Sequence, residues 1–250
     1  MANLIVTRPQ GQHLALQRAL EQQGHQVQLM PLMAIEQVSD GSDEARLART
    51  LMLDLDLFHH VIAISANAAH YGLEWLDELW PQPPLGIHWY GVGPASAEPM
   101  RQYGLDTLQP VERFDSEGLL ALPQLQQVGD QKVLIWRGVG GRETLASELR
   151  ARGAVVHYAE LYQRLEQHYS TAQWQQALQP KDNWLLLSSG QALDIVMAQA
   201  TDLPQQLDGI VLPSQRVADQ ARELGFREVL VPASARDEDV LACLQGHFDG

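Results

Sequence analysis

The residues best suited to chemistry gather in one stretch, residues 132–164, KVLIWRGVGGRETLASELRARGAVVHYAELYQR. Its apolar run over 133–136 is long enough for a buried parallel strand. The chain then turns through Gly138, Gly140 and Gly141, between Arg137 and Arg142, into a helical pattern that Gly153 closes. Backbone N–H groups and guanidiniums gathered where a helix begins favour an anion. A second strand, over 155–161, ends at Tyr162. That phenol either packs its ring at a domain edge or projects as a hydrogen-bond donor and weak general acid.

The kind of anion is narrowed by what the loop lacks. A dinucleotide fingerprint would put its third glycine at position 143, where the chain has Glu143, and a P-loop needs Lys-Ser or Lys-Thr where Arg142-Glu143 stand. What remains is a carboxylate-binding loop, or a tight turn that uses glycine for geometry alone. All of the 17 basic residues except Lys132 and Lys181 are arginines, the better bidentate partner for a carboxylate. The nine histidines are scattered without HxxxH spacing, so no metal site is expected. The single cysteine, Cys243, excludes an internal disulfide framework and reads as a small buried apolar residue of the last helix. There is no GxSxG elbow, and covalent catalysis has no candidate nucleophile.

Strands alternating with helices must position these residues. Strands are expected over 3–7, 26–30, 61–64, 87–90, 184–187 and 209–212, with 31–37 extended. Helices are expected over 11–23, 46–55, 119–127 and 239–245, and after the strands ending near residues 64, 90, 187 and 212. This is an α/β architecture with parallel sheets. The pattern also repeats: LIVTRPQGQHLALQRALEQQGHQV aligns with VLIWRGVGGRETLASELRARGAVV, placing Arg8 on Arg137, and AISANAA aligns with LLSSGQA. Ligands of open α/β sheets sit outside the carboxyl ends of the strands. Two facing copies would therefore line a cleft with the loops holding Arg8, Ser65, Ser96, Arg137, Ser189 and Ser214.

A net charge of −14 argues against nucleic acid, and no apolar run approaches the ~18 residues of a membrane span. The first residues enter a strand directly, without a secretory pattern, which together with the lone cysteine suggests a cytoplasmic protein.

The set RGxGGRxxLxxxLxxRGAxVxxxxxYxR over 137–164, TRP at 7–9, SANA at 65–68, VGPAS at 92–96 and DSEGLL at 115–120 resembles the uroporphyrinogen-III synthase family over essentially the full length. The resemblance implies two duplicated flavodoxin-like α/β domains joined by a two-stranded β linker. Residues 1–34 with 167–250 would form a discontinuous domain and 39–159 an inserted one, with 35–38 and 160–166 as linker strands. It implies a lyase acting on hydroxymethylbilane, a linear tetrapyrrole with eight carboxylates, without metal or organic cofactor. Tyr162 would assist departure of the substrate hydroxyl. Substrate contacts would come from Ser65, Asn67, Ser96, Ser116, Ser188, Ser189 and the loop of Arg137, Gly138, Gly140, Gly141 and Arg142, with Arg8, Ser214 and Arg216 added from the matching loops. A monomer is implied, with transient contact to the preceding pathway enzyme. Two other classes share the pattern: a two-domain ligand-binding or sensor protein for a carboxylated small molecule, and a nucleotide-dependent enzyme, which Glu143 disfavours.

Overall fold

The computed structural model describes residues 1–248. From the N-terminus, β1 (Asn3–Val6) leads to α1 (Leu14–Gln22), β2 (Gln26–Leu29) and β3 (Met33–Gln37). Next come α2 (Asp43–Leu53), β4 (His60–Ala63), α3 (Ala66–Leu79), β5 (His88–Gly91), α4 (Pro94–Gln102) and β6 (Thr107–Leu108). The short α5 (Ser116–Leu120) precedes β7 (Lys132–Gly138), α6 (Thr144–Ala151) and β8 (Val155–Glu166). Then follow α7 (Thr171–Ala177), β9 (Asn183–Leu186), α8 (Gly190–Gln199), α9 (Leu203–Gln206) and β10 (Gly209–Val211). The chain closes with α10 (Gln215–Glu223), β11 (Val229–Leu230) and α11 (Asp237–Phe248).

These elements form two compact units, Met1–Ile35 with the chain from Leu165 onward, and Glu36–Arg164. The division falls inside β3 and β8, so those two strands carry the chain from one unit to the other. Their flanking bonds run from the Val38 N–H to the Leu161 carbonyl and from the Gln167 N–H to the Leu32 carbonyl, which makes the pair antiparallel.

The first unit holds a parallel sheet in the order β11-β10-β9-β1-β2. Counted within the unit, that is the flavodoxin-like order 2-1-3-4-5. The second sheet runs β3-β8-β7-β4-β5-β6. It has the same order once β7-α6-β8 stands in for β1-α1-β2 and β4, β5 and β6 for β9, β10 and β11. The copy is therefore permuted: the strand pair that opens one unit closes the other.

Strand composition explains the layering. Successive side chains alternate between faces, and here both faces are buried. In the first unit Ile5, Leu185 and Leu187 join one core, while Leu4, Val6, Trp184 and Leu186 join the other. In the second, Ile62, Tyr90, Val133 and Ile135 pack under α5 and α6. On the opposite face, α3 rests on Trp136 at Gly72, where a Cβ would stand 2.1 Å from the indole. Only glycine lets the helix approach that closely.

Several boundaries depart from the sequence reading. Helix α1 starts at Leu14 rather than residue 11, because Gly11 sits at φ 86° in a turn closed from the Gln12 N–H to the Pro9 carbonyl. Helix α2 begins inside the polar break, capped by Ser42. Helix α5 ends at Leu120, because Pro123 opens a separate 3-10 turn, and its cap is Asp115. The short elements β6, α7, α9 and β11 were not expected. Cys243 is half-buried.

Candidate active site

The glycine-rich turn leaves a strand that is buried from Val133 to Arg137. Pairing between β7 and β8 runs Trp136 to Ala159 and Arg137 to Glu160, then slips so that Gly138 faces Tyr162. The extra residue in β8 is Leu161, and this bulge re-aims the strand end as bulges beside functional sites do. Gly140 and Gly141 then adopt φ of 73° and 105°, a left-handed backbone that glycine takes without strain.

The loop is braced from within. Arg137 is 2% exposed, and its guanidinium donates to the carbonyls of Gly138 and Gly140 and to Glu143 Oε1 at 3.1 Å. It also lies 4.5 Å above the Tyr158 ring, whose hydroxyl donates to the other Glu143 oxygen. The Tyr158 hydroxyl, then the Arg137 guanidinium, hold the Glu143 carboxyl below its ordinary pKa. Burial, then Glu143, pushes the Tyr158 phenol up. The Gly140 N–H is taken by Glu160 Oε1 at 3.0 Å. Arg137 was read from sequence as a grip on substrate; its donors serve the protein. Its partner in the other copy behaves likewise: Arg8 is bonded to Asp237 and to the Ala235 carbonyl at 3.1 Å.

Tyr162 is 3% exposed. Its ring stacks on Tyr71 with centroids 5.7 Å apart and planes at 21°. Its other edge lies against Gly138. Its hydroxyl is 3.1 Å from Ser65 Oγ, and Ser65 caps α3 by accepting the Ala68 N–H at 3.0 Å.

Tyr162 and the glycine loop line a cavity of about 430 Å³ within the second unit. Ile64, Val92, Ile135 and Leu145 supply apolar wall, and Arg142 and Arg164 line it as exposed cations. Among the described residues neither arginine has an ion pair or a side-chain hydrogen bond. Ser116 lines the cavity too. Arg164, outside the expected site residues, stands two positions beyond Tyr162; strand alternation puts such residues on one face, which was the available signal.

The remaining expected residues divide. Ser96 is 3% exposed, and its hydroxyl donates to the Gly93 carbonyl and accepts the Gly93 N–H, so it locks its own turn. Asn67 lies in the first turn of α3, outside the cavity lining. In the first unit Ser189 caps α8 by accepting the Ala192 N–H, which makes Ser189, not Ser188, the counterpart of Ser65. Ser188 is exposed and lines a small hollow with Arg8. Ser214 precedes α10 without capping it, and Arg216 reaches Gln220 at 3.4 Å. The structure thus brings together Ser65, Ser116, Arg137, Gly138, Gly140, Gly141, Arg142 and Tyr162, while Arg8, Ser188, Ser189, Ser214 and Arg216 belong to the other unit. Among the described residues no three His, Cys, Asp or Glu side chains cluster as metal ligands, and no helix is long and apolar enough to cross a membrane.

Comparison with known proteins places this arrangement. Residues 15–242 match the family model described as uroporphyrinogen-III synthase HemD. The chain is 31% identical to the uroporphyrinogen-III synthase of Salmonella typhimurium over 97% of this chain and 100% of that protein. It is 29% identical to that of Escherichia coli K12 over the same shares. Among solved structures, a mutant uroporphyrinogen III synthase from Thermus thermophilus aligns with TM-score 0.59 at 19% identity, covering 99% of this chain and 97% of that one, a likeness of fold. The fold is that of a duplicated two-unit α/β protein built on parallel sheets. The chain belongs to the uroporphyrinogen-III synthase family, lyases of porphyrin biosynthesis.

Proposed function

We propose that this chain closes hydroxymethylbilane to uroporphyrinogen III, with loss of water and inversion of ring D through a spiro intermediate. The observation that carries the reading is the Tyr162 phenol on the wall of an apolar-sided cavity that Arg142 and Arg164 line as exposed cations, without partners among the described residues. A pyrrole ring suits the apolar wall, and its acetate and propionate suit two guanidiniums, whose planar forks match carboxylates.

The reaction demands little of the protein as a reactant. The terminal hydroxymethyl must lose its oxygen, and Tyr162 donates a proton to it as the C–O bond breaks. The azafulvene that results is attacked by an electron-rich pyrrole carbon, so no protein nucleophile is needed. Free in solution the chain of rings also closes, to the un-inverted isomer. The enzyme's larger task is to hold the floppy substrate so that the substituted carbon of ring D attacks first, a task of proximity and orientation. Ser116 and the glycine-loop backbone would complete the contacts at this cavity. Ser188, Ser189, Ser214 and Arg216 would serve substrate groups at the strand ends of the other unit. The enzyme would act as a cytoplasmic monomer without cofactor, receiving its labile substrate by transient contact with the enzyme that makes it.

The test supplies freshly made hydroxymethylbilane and resolves the porphyrin isomers after oxidation. An excess of type III over the spontaneous type I is expected; an unchanged isomer ratio overturns the reading.

A further inference from the structure

We propose that Ser65 is a positioning residue: it directs the Tyr162 O–H into the cavity and takes up the charge left on the phenol when its proton departs. The inference rests on the assignment of Tyr162 as proton donor.

A serine hydroxyl has one proton and two lone pairs. One lone pair of Ser65 is committed, because it accepts the Ala68 N–H at 3.0 Å in capping α3. Its proton remains, and the Tyr162 oxygen stands 3.1 Å away. If Ser65 donates to Tyr162, the phenol keeps its own proton for the cavity. If the bond ran the other way, that proton would be spent on Ser65. The N-terminus of a 14-residue helix favours the first arrangement, because its orphan N–H groups and partial positive charge draw electron density from Oγ and make it the better donor.

The arrangement strengthens as the reaction proceeds. The Tyr162 O–H bond breaks, its proton goes to the substrate hydroxyl oxygen, and the C–O electron pair leaves with that oxygen as water. The Ser65 O–H then donates to a phenolate, and a hydrogen bond to an ionised acceptor is shorter and about twice as strong as a neutral one. The proton finally released from the carbon that closes the macrocycle restores the phenol. A contact that tightens only as charge develops lowers the barrier without tightening the ground state. The ring itself cannot swing away, being held between Gly138 and Tyr71.

The experiment measures kcat, KM and melting temperature for Ser65→Ala, Ser65→Thr, Ser65→Asp, Tyr162→Phe and the Ser65→Ala/Tyr162→Phe double variant. Ser65→Ala is expected to lower kcat about tenfold, the scale of one charge-assisted hydrogen bond, with KM little changed. Threonine should restore most of kcat. Aspartate caps a helix as well as serine does, yet when ionised it only accepts. Ser65→Asp should therefore keep the melting temperature and lose at least as much kcat as alanine. The double variant should be no slower than Tyr162→Phe alone. If Ser65→Asp keeps wild-type kcat, or the two losses multiply in the double variant, Ser65 acts only as a helix cap and the inference is overturned. If Tyr162→Phe alone keeps full kcat, the assignment of Tyr162 has failed instead, and that outcome is read from a different variant.

Discussion

Gly138 lies so close to Tyr162 that a Cβ on it would stand 2.6 Å from Cε2 and 2.7 Å from Cζ of the phenol ring. The glycine of the loop is thus the floor on which the tyrosine rests, and the bulge at Leu161 brings the two into register. Gly138→Ala must push the ring aside. Overpacking of this kind costs about 1–3 kcal/mol of stability, whereas misplacing a reacting group by about 1 Å costs on the order of 100-fold in rate. The variant is expected to fold, to melt a few degrees lower and to lose one to two orders of magnitude in kcat. A variant with wild-type kcat would show that the phenol needs no fixed place.

Tyr162→Phe removes the proposed proton donor and keeps the ring that stacks on Tyr71. Loss of a general acid is expected to cost about 10- to 100-fold in kcat, at or below the low end for such groups. The isomer made should stay type III if steering rests on the proposed carboxylate contacts and the shape of the cavity. Chromatography of the oxidised porphyrins checks this, and a drift towards type I would give Tyr162 a role in orientation.

The arginines separate into two kinds. Arg142 and Arg164 line the cavity as exposed cations, whereas Arg137 and Arg8 are bonded to the protein's own carboxylates. Arg142→Ala and Arg164→Ala are each expected to raise KM about tenfold or more, the scale of a hydrogen bond to a charged group, and to weaken its salt dependence. Melting temperatures should hardly change. Arg137→Ala and Arg8→Ala should do the reverse, lowering the melting temperature by several degrees. A large KM effect from Arg8→Ala without loss of stability would return that residue to the substrate.

Much of this was legible in the sequence, and the misses share one cause. Strand runs such as LIV at 4–6 and VLIW at 133–136 announce buried parallel strands because hydrophobicity is local information. The glycines at 140 and 141 announce a turn because φ > 0 is a local demand. The bulge at Leu161 has no such signature, since it arises from how two strands pair. Nor could sequence say that Glu143 and Glu160 would occupy Arg137 and the Gly140 N–H, because ion pairs depend on which loops meet. The repeat showed two copies, but aligned Ser65 with Ser188. Strand register, with Leu186 beside Val6 and Ile62 beside Ile135, and the cap bonds to Ala68 and Ala192 place Ser189 there instead.

At the other end of β4 from the cavity lies a buried histidine that should set the acid limit of the fold. His60 is 2% exposed, with Nδ1 2.9 Å from the Tyr90 hydroxyl and Nε2 2.6 Å from Gln131 Oε1. An amide oxygen only accepts, so Nε2 carries the proton and Nδ1 accepts from Tyr90. Burial lowers the His60 pKa below 6.5, Gln131 opposes this in part, and His88 and His59 add to the lowering. Burial raises the Tyr90 phenol, which stays protonated. The native state therefore binds fewer protons than the unfolded chain, so stability rises with pH in this range. The contribution is whole above pH 6.5, the unfolded value, and is lost as pH falls through the lower folded value. Thermal melts between about pH 8 and pH 5 should show the midpoint dropping on the acid side. In Tyr90→Phe the donor to Nδ1 is gone and protonation conflicts less with the network, so the drop should flatten. An identical pH slope in His60→Gln and the wild type would assign the acid limit to other groups.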